Sequence, residues 1–228
     1  MTIFTFALKR SFRSLGNVIL LLVLPIAVIL LPVGEWSVLP LGYQFYGMIM
    51  LFGAARLVQF IMEDRSTGVL KRIGVAPVTH FQYLWQSLLA YSLILIGQNA
   101  VVIVGGMLVH GQALIAPLLL FVVYSFFSLT AIALCLAWIS LYRNKDSAFL
   151  ILMNVIILMA MLGGIFWPVE IMPDFFQRIA MLLPTYWLTE GLSVIISSKP
   201  LVELIIPLVI LLLFTMAFVL LGSKRRIA

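Results

Sequence analysis

The residues of this chain best suited to chemistry gather in one stretch: Glu63, Asp64, Arg65, Lys71 and Arg72, closed by Pro77. Elsewhere ionisable groups are sparse, with eight acidic residues and 10% charged residues in 228. Each common catalytic device can be tested against that supply. A phosphate-binding loop needs Gly-Lys so that an ammonium reaches the phosphates cradled by backbone amides. No Gly-Lys dipeptide occurs, so this chain does not handle ATP through that device. His80 and His110 flank the same apolar block at opposite ends, and neither HExxH nor CxxC is present to hold zinc. Cys135, the single cysteine, lies within an apolar run, which excludes an intrachain disulfide and suits a small packing residue. No GxSxG occurs, and the apolar blocks offer Ser92, Ser125, Ser128 and Ser140 with no carboxylate beside them. The expectation is a chain that is not an enzyme and whose charged stretch is a surface for contact.

The surroundings explain why that stretch stands out. Apolar residues make up 64% of the sequence, where soluble domains hold about half. Mean hydropathy is +1.22. A fold of this size cannot hide so much apolar surface from water, so the chain is read as an all-α integral membrane protein. Apolar blocks of the length needed to cross a bilayer fall near 17–33, 43–62, 81–109, 114–141, 148–167 and 200–221, predicting six transmembrane helices in a single domain spanning 1–228.

The basic residues orient them. With both termini cytoplasmic, Lys9, Arg10, Arg13, Arg65, Lys71, Arg72, Arg143, Lys145, Lys224, Arg225 and Arg226 lie inside, which is 11 of 14. Only Arg178 and Lys199 fall outside, and Arg56 lies within a span. The net charge of +6 therefore reports topology, with no nucleic-acid partner implied. A signal peptide is not favoured, since no small-x-small site follows the first block. Residues 1–14 place Phe4, Leu8 and Phe12 on one helical face and Thr5, Lys9 and Arg13 on another, as in an interfacial helix; a frayed basic terminus is the other reading. The segment from Pro168 to Lys199 is apolar, with Pro168, Glu170, Pro173 and Pro184 among its punctuating residues. Short re-entrant helices suit it better than a free loop. A seventh span over 178–196 is the rival, and it would reverse the orientation of the C-terminal cations.

Within the charged stretch, Val69, Leu70 and Ile73 form an apolar patch beside Glu63, Arg65, Lys71 and Arg72, with Gly74 and Pro77 ending the run. The pattern of Glu63, Arg65, Gly68, Val69-Leu70 and Pro77 after the second span resembles the ABC-2 type transporter permeases. A second stretch, Gly163-Gly164-Ile165-Phe166-Trp167-Pro168-Val169-Glu170-Ile171-Met172-Pro173 and on to Leu183-Pro184-Thr185-Tyr186-Trp187, is similar to the same family's segment between spans five and six.

The resemblance implies a transmembrane subunit of an ABC exporter. It implies that Glu63, Arg65, Gly68, Leu70, Lys71, Arg72 and Pro77 dock in a cleft of a separate soluble ATP-binding subunit, which carries the ATP and Mg while this chain binds no cofactor. It also implies pairing with a second permease, as homodimer or heterodimer, in a bacterial plasma membrane. The implied cargo is amphiphilic or hydrophobic, such as a drug, antibiotic, lipid or peptide. A sensor or immunity component driven by the same kind of ATPase is the alternative.

Polar groups at membrane depth complete the set of candidates. Arg56 either snorkels toward Glu63 or a neighbouring helix, or lines an inner vestibule. Gln98, Asn99 and Asn154 either hydrogen-bond between helices, the default, or line a cavity for the cargo. Trp36, Tyr43, Tyr46, Trp167, Tyr186 and Trp187 suit an outer aromatic belt.

Overall fold

A computed structural model describes residues 2–32, 39–66, 80–111, 114–142 and 144–224, and these are helical apart from short connections. The helices are α1 (Thr2–Arg13), α2 (Leu15–Leu30), α3 (Leu41–Ser66), α4 (His80–His110), α5 (Pro117–Leu141), α6 (Lys145–Leu162), α7 (Asp174–Ala180), α8 (Pro184–Ile196) and α9 (Leu201–Lys224), with a 3-10 turn at Val169–Ile171. Five of them are long and apolar enough to cross a bilayer, and up to seven crossings result if each of two bent pairs counts as one. Those pairs are α1–α2, bent by 85°, and α7–α8, bent by 95°. The chain is a multi-pass membrane protein.

Local chemistry sets the boundaries. Asn144 caps α6 by accepting from the amides of Asp146 and Ser147 at 2.9 and 3.3 Å. Helix α6 consequently starts at Lys145, before the Ala148 expected for the fifth span, and stops at Leu162, before the expected Trp167. It stops there because Gly164 turns the chain with φ +87, a conformation that costs glycine nothing. Of the prolines that punctuate the next segment, Pro173 caps α7 and Pro184 occupies the first turn of α8, where a missing N–H is tolerated. Gln177 Nε2 ties the 3-10 turn to α7 by donating to the carbonyls of Met172 at 2.8 Å and Glu170 at 3.4 Å. The first block yields α2, which ends at Leu30, just before the extended Leu31.

Two helices form the centre. Within their apolar windows α3 is 67% and α5 61% buried, against 28% for α6 and for α9, which stand at the periphery. α5 packs on α9 most extensively, then on α4, α3 and α8. Peripheral leucines such as Leu118 and Leu213 are exposed, as lipid-facing side chains must be in the absence of any hydrophobic reward for burying them.

Helix contacts in lipid are held by close approach and by hydrogen bonds, and both are present. At Gly42 and Gly106 a Cβ would collide with the Val28 carbonyl and the Tyr43 hydroxyl respectively. The Tyr43 hydroxyl donates to the Val102 carbonyl at 2.8 Å, and that of Tyr124 to the Tyr43 carbonyl at 2.7 Å. Thr130 Oγ1 donates to the Leu211 carbonyl and lies 3.0 Å from Thr215 Oγ1, fastening α5 to α9. Thr185 and Thr189 hydroxyls donate to the carbonyls of Met159 and Gly163, fastening α8 to the end of α6.

Candidate functional site

The last described side chain of α3 organises the basic end of the bundle. Glu63 Oε1 accepts from Lys145 Nζ at 2.9 Å, and Oε2 lies 3.5 Å from Arg10 Nη2. Three segments remote in sequence, α1, α3 and the start of α6, thus meet on one carboxylate. Arg10 also covers the Phe60 ring, one turn earlier on α3, at 5.2 Å from its centroid. Lys145 sits in the first turn of α6, where the helix dipole disfavours a cation, and Glu63 offsets that repulsion. All three side chains are between a quarter and a third exposed, so each pair contributes about 0.2–1 kcal/mol. Together they tie the end of α3 to α1 and to the start of α6.

Helix α3 carries the chain to Ser66, with Arg65 in its last turn. Gly68, Leu70, Lys71, Arg72 and Pro77 lie outside the described residues, as does the Arg65 side chain. Arg56, one of the two routes considered for it being toward Glu63, instead donates to Gln59 Oε1 at 2.6 Å within its own helix.

The amides separate into three situations. Asn99 is fully buried: its Oδ1 accepts from the Tyr46 hydroxyl at 2.8 Å, and its Nδ2 donates to Ser128 Oγ at 3.0 Å. Ser128 passes the chain on to the Tyr124 carbonyl at 2.9 Å, so one network crosses α3, α4 and α5. Asn154 is exposed on α6 and donates to the Leu150 carbonyl of its own helix at 2.8 Å. Gln98 is buried against a groove between α1, α2 and α4.

Asn99→Ala is expected to destabilise the bundle by about 1–2 kcal/mol, because the buried Tyr46 hydroxyl loses its acceptor. The unfolding midpoint in mixed micelles reads this. Tyr46→Phe should cost less, since Asn99 keeps its bond to Ser128.

Tyr43 and Tyr46 correct the reading of an aromatic belt. Both are fully buried, with Tyr46 packed edge-on against Tyr124 at 5.0 Å between centroids. Their hydroxyls find partners inside the bundle, which removes the reason for a tyrosine to seek the interface.

At the opposite end a cavity of about 280 Å³ opens between the start of α3, the 163–170 turn and α8. Gln44, Glu170, Tyr186, Thr189, Glu190 and Ser193 converge on it. Glu170 was legible as part of the segment after the fifth expected span; Glu190 was not singled out, although a lone carboxylate inside the apolar run 184–196 was a usable signal. The cavity can accept hydrogen bonds and favour a cation. Among the described residues, no three His, Cys, Asp or Glu side chains come together to hold a metal ion.

Two similarities bear on the whole assembly. The sequence profile described as "ABC-2 family transporter protein" matches residues 37–224, taking in every helix from α3 onward. The chain belongs to the ABC-2 transporter family. A relative in Bacillus subtilis (strain 168), the linearmycin resistance permease protein LnrN, is 28% identical over 151 residues. That match takes in 66% of this chain and 38% of the relative. The chain therefore spans well under half the length of that permease. Membership places it among the ABC-2 type permeases. It also gives the Glu63 cluster a context, since the helix end it braces leads directly into the 67–79 connection.

Proposed function

We propose that this chain is the transmembrane subunit of an ABC exporter, with a separate ATPase docking on the 63–77 segment and a second permease completing the membrane half. Both termini face the cytoplasm, α1 lies along that surface of a bacterial plasma membrane, and the α7–α8 pair dips into the outer leaflet without crossing. ATP and Mg belong to the ATPase subunit, and this chain performs no hydrolysis.

The observation that carries the reading is the position of Glu63. It stands where α3 enters the segment that the family uses for docking, and it is bonded to α1 and α6 rather than left in solvent. A push on that segment is delivered at once to the N-terminal helix and the fifth crossing. The bundle above is rigidly knotted by Asn99, Tyr46 and Ser128, so it rocks as a body instead of deforming locally. Arg65, Gly68, Leu70, Lys71, Arg72 and Pro77 supply the docking surface, with charges around an apolar patch as in other cleft-binding segments. The weakly buried faces of α6 and α9 are available for the second permease. Cargo is an amphiphilic or hydrophobic compound, and the relative's role in linearmycin resistance favours an antibiotic.

The deciding experiment combines co-purification with transport. A soluble ATPase should co-purify with the intact chain, and vesicles holding both should move an amphiphilic antibiotic only with ATP. Gly68→Pro, which restricts the docking segment, should abolish ATP-driven export at normal membrane levels. Export that survives Gly68→Pro would contradict the docking role, and ATP turnover without any cargo movement would favour a sensor.

A further inference from the structure

Beyond the transport cycle, we propose that the cavity between the start of α3, the 163–170 turn and α8 binds a primary ammonium carried on a short apolar body. The side of the membrane on which it opens rests on the orientation proposed above. The ligand chemistry rests on the cavity alone.

The cavity holds about 280 Å³, and its lining divides in two. Leu39, Val169, Leu192 and Ile196 supply an apolar wall, while Glu170 and Glu190 place two carboxylates beside Tyr186. No Lys, Arg or His belongs to that lining. Among the described residues neither carboxylate ion-pairs or accepts a hydrogen bond, in contrast to Glu63, which holds two cations. The basic residues nearest in sequence are placed elsewhere. Lys199 faces Glu203 at 3.9 Å, and the exposed Arg178 does not line the cavity. The 33–38 stretch, which runs into Leu39, contains no basic residue.

Both carboxylates act on the Tyr186 hydroxyl, so their charges share one small region, and a cation between them relieves their repulsion. An ammonium brings three N–H donors, enough for the two carboxylates and the tyrosine oxygen. The site is formed before a ligand arrives. Trp187 packs edge-on against the Tyr186 ring at 5.1 Å and is itself fixed by its Nε1, which donates to the Met181 carbonyl at 2.9 Å. Gln44 Nε2 donates to the Ile165 carbonyl at 3.4 Å and Thr189 Oγ1 to the Gly163 carbonyl at 2.8 Å, tying α3 and α8 to the turn. A divalent metal fits less well. Calcium takes about six to eight oxygens, no third acidic group joins the pair among the described residues, and the apolar wall would go unused.

Saturation-transfer NMR of n-butylamine on the full chain in phosphatidylcholine nanodiscs tests this, with empty discs subtracted and no ATPase present. The uncharged match is n-butanol. The wild type should bind the amine about tenfold more tightly than the alcohol, the worth of a charge-assisted hydrogen bond. Glu190→Gln should remove most of that preference, and Glu170→Gln, on the more exposed residue, less of it. Together they should make the two probes equal while leaving alcohol binding as it was. Ser193→Leu, which narrows the cavity without changing its charge, should weaken both probes. Discs containing phosphatidylethanolamine distinguish the source of the ammonium. Weaker amine binding there means that a lipid head occupies the site, and equal binding means a free amine; both outcomes uphold the site. Equal affinity of the wild type for amine and alcohol, or a preference that survives the double substitution, would overturn the proposal. So would displacement of the amine by calcium chloride beyond that by sodium chloride at the same ionic strength, which would assign a metal. Failure here leaves the exporter reading untouched, because that reading is judged by ATP-dependent transport.

Discussion

Glu63→Lys is expected to lower ATP-driven export by about tenfold or more, with the chain still delivered to the membrane. The substitution replaces the one carboxylate shared by Arg10 and Lys145 with a third cation. At about 4 Å and an effective dielectric of about 20, each like-charge pair costs up to about 4 kcal/mol. The side chains are partly exposed and will swing into water, so the penalty retained in the folded bundle falls to about 1–2 kcal/mol. What is lost is the joint: α1 and the start of α6 separate from the end of α3, and a push on 67–79 is no longer shared.

Insertion should be unaffected, because an added lysine at this end strengthens the existing charge bias. Lys145→Glu placed on the same chain restores an attractive pair across α3 and α6 and should recover a substantial part of export. The measurement is ATP-dependent uptake into inverted vesicles at matched protein levels. Normal export in the single variant, or no recovery in the double, would remove the joint from the mechanism. Glu63→Gln, which deletes charge without reversing it, should fall between.

Gly42→Ala carries the largest expected effect on stability, a loss of about 1–3 kcal/mol. A methyl group at Gly42 meets the backbone carbonyl of Val28, with the Val28 carbon and Cα close behind. Backbone cannot rotate aside as a side-chain tip can, so α2 must move away from α3. That shift disturbs the contact through which His110 Nε2, 2.7 Å from the Ile29 carbonyl, joins the ends of α4 and α2. Gly97→Ala provides the contrast on a neighbouring helix. It adds the same methyl into open space and should be neutral or stabilising by up to about 1 kcal/mol, the helix-propensity difference. Thermal unfolding midpoints of the two purified variants separate the cases. Equal midpoints would mean that the α2–α3 approach is not a constraint.

The contrast between these glycines shows how the chain divides between what is readable locally and what is not. Nothing in the residues around 42 and 97 distinguishes a glycine held against a carbonyl from one beside a groove. The same holds for the polar residues. Asn99, Gln98 and Asn154 look alike in sequence, each an amide within an apolar block. In the fold Asn99 is the centre of a three-helix network, the Gln98 oxygen is buried without a partner among the described residues, and Asn154 bonds its own helix on an exposed face.

Sequence by itself determined the membrane character, the all-helical class, the apolar helices at five of the six expected spans, and the family. Those follow from quantities that are local: runs of about 20 apolar residues, caps and prolines at their ends, and two motifs in a fixed order. The tertiary structure decided which residues meet. Glu63 finds Arg10 at a separation of 53 residues and Lys145 at 82, and Tyr43 reaches the backbone at Val102 across 59. Such partners are set by how helices cross and rotate against each other, a geometry that apolar composition leaves open because every face of a lipid-soluble helix is apolar. The crossing geometry turned Tyr43 and Tyr46 inward, gathered Glu170 and Glu190 on one cavity, and buried the Gln98 amide oxygen without a partner among the described residues.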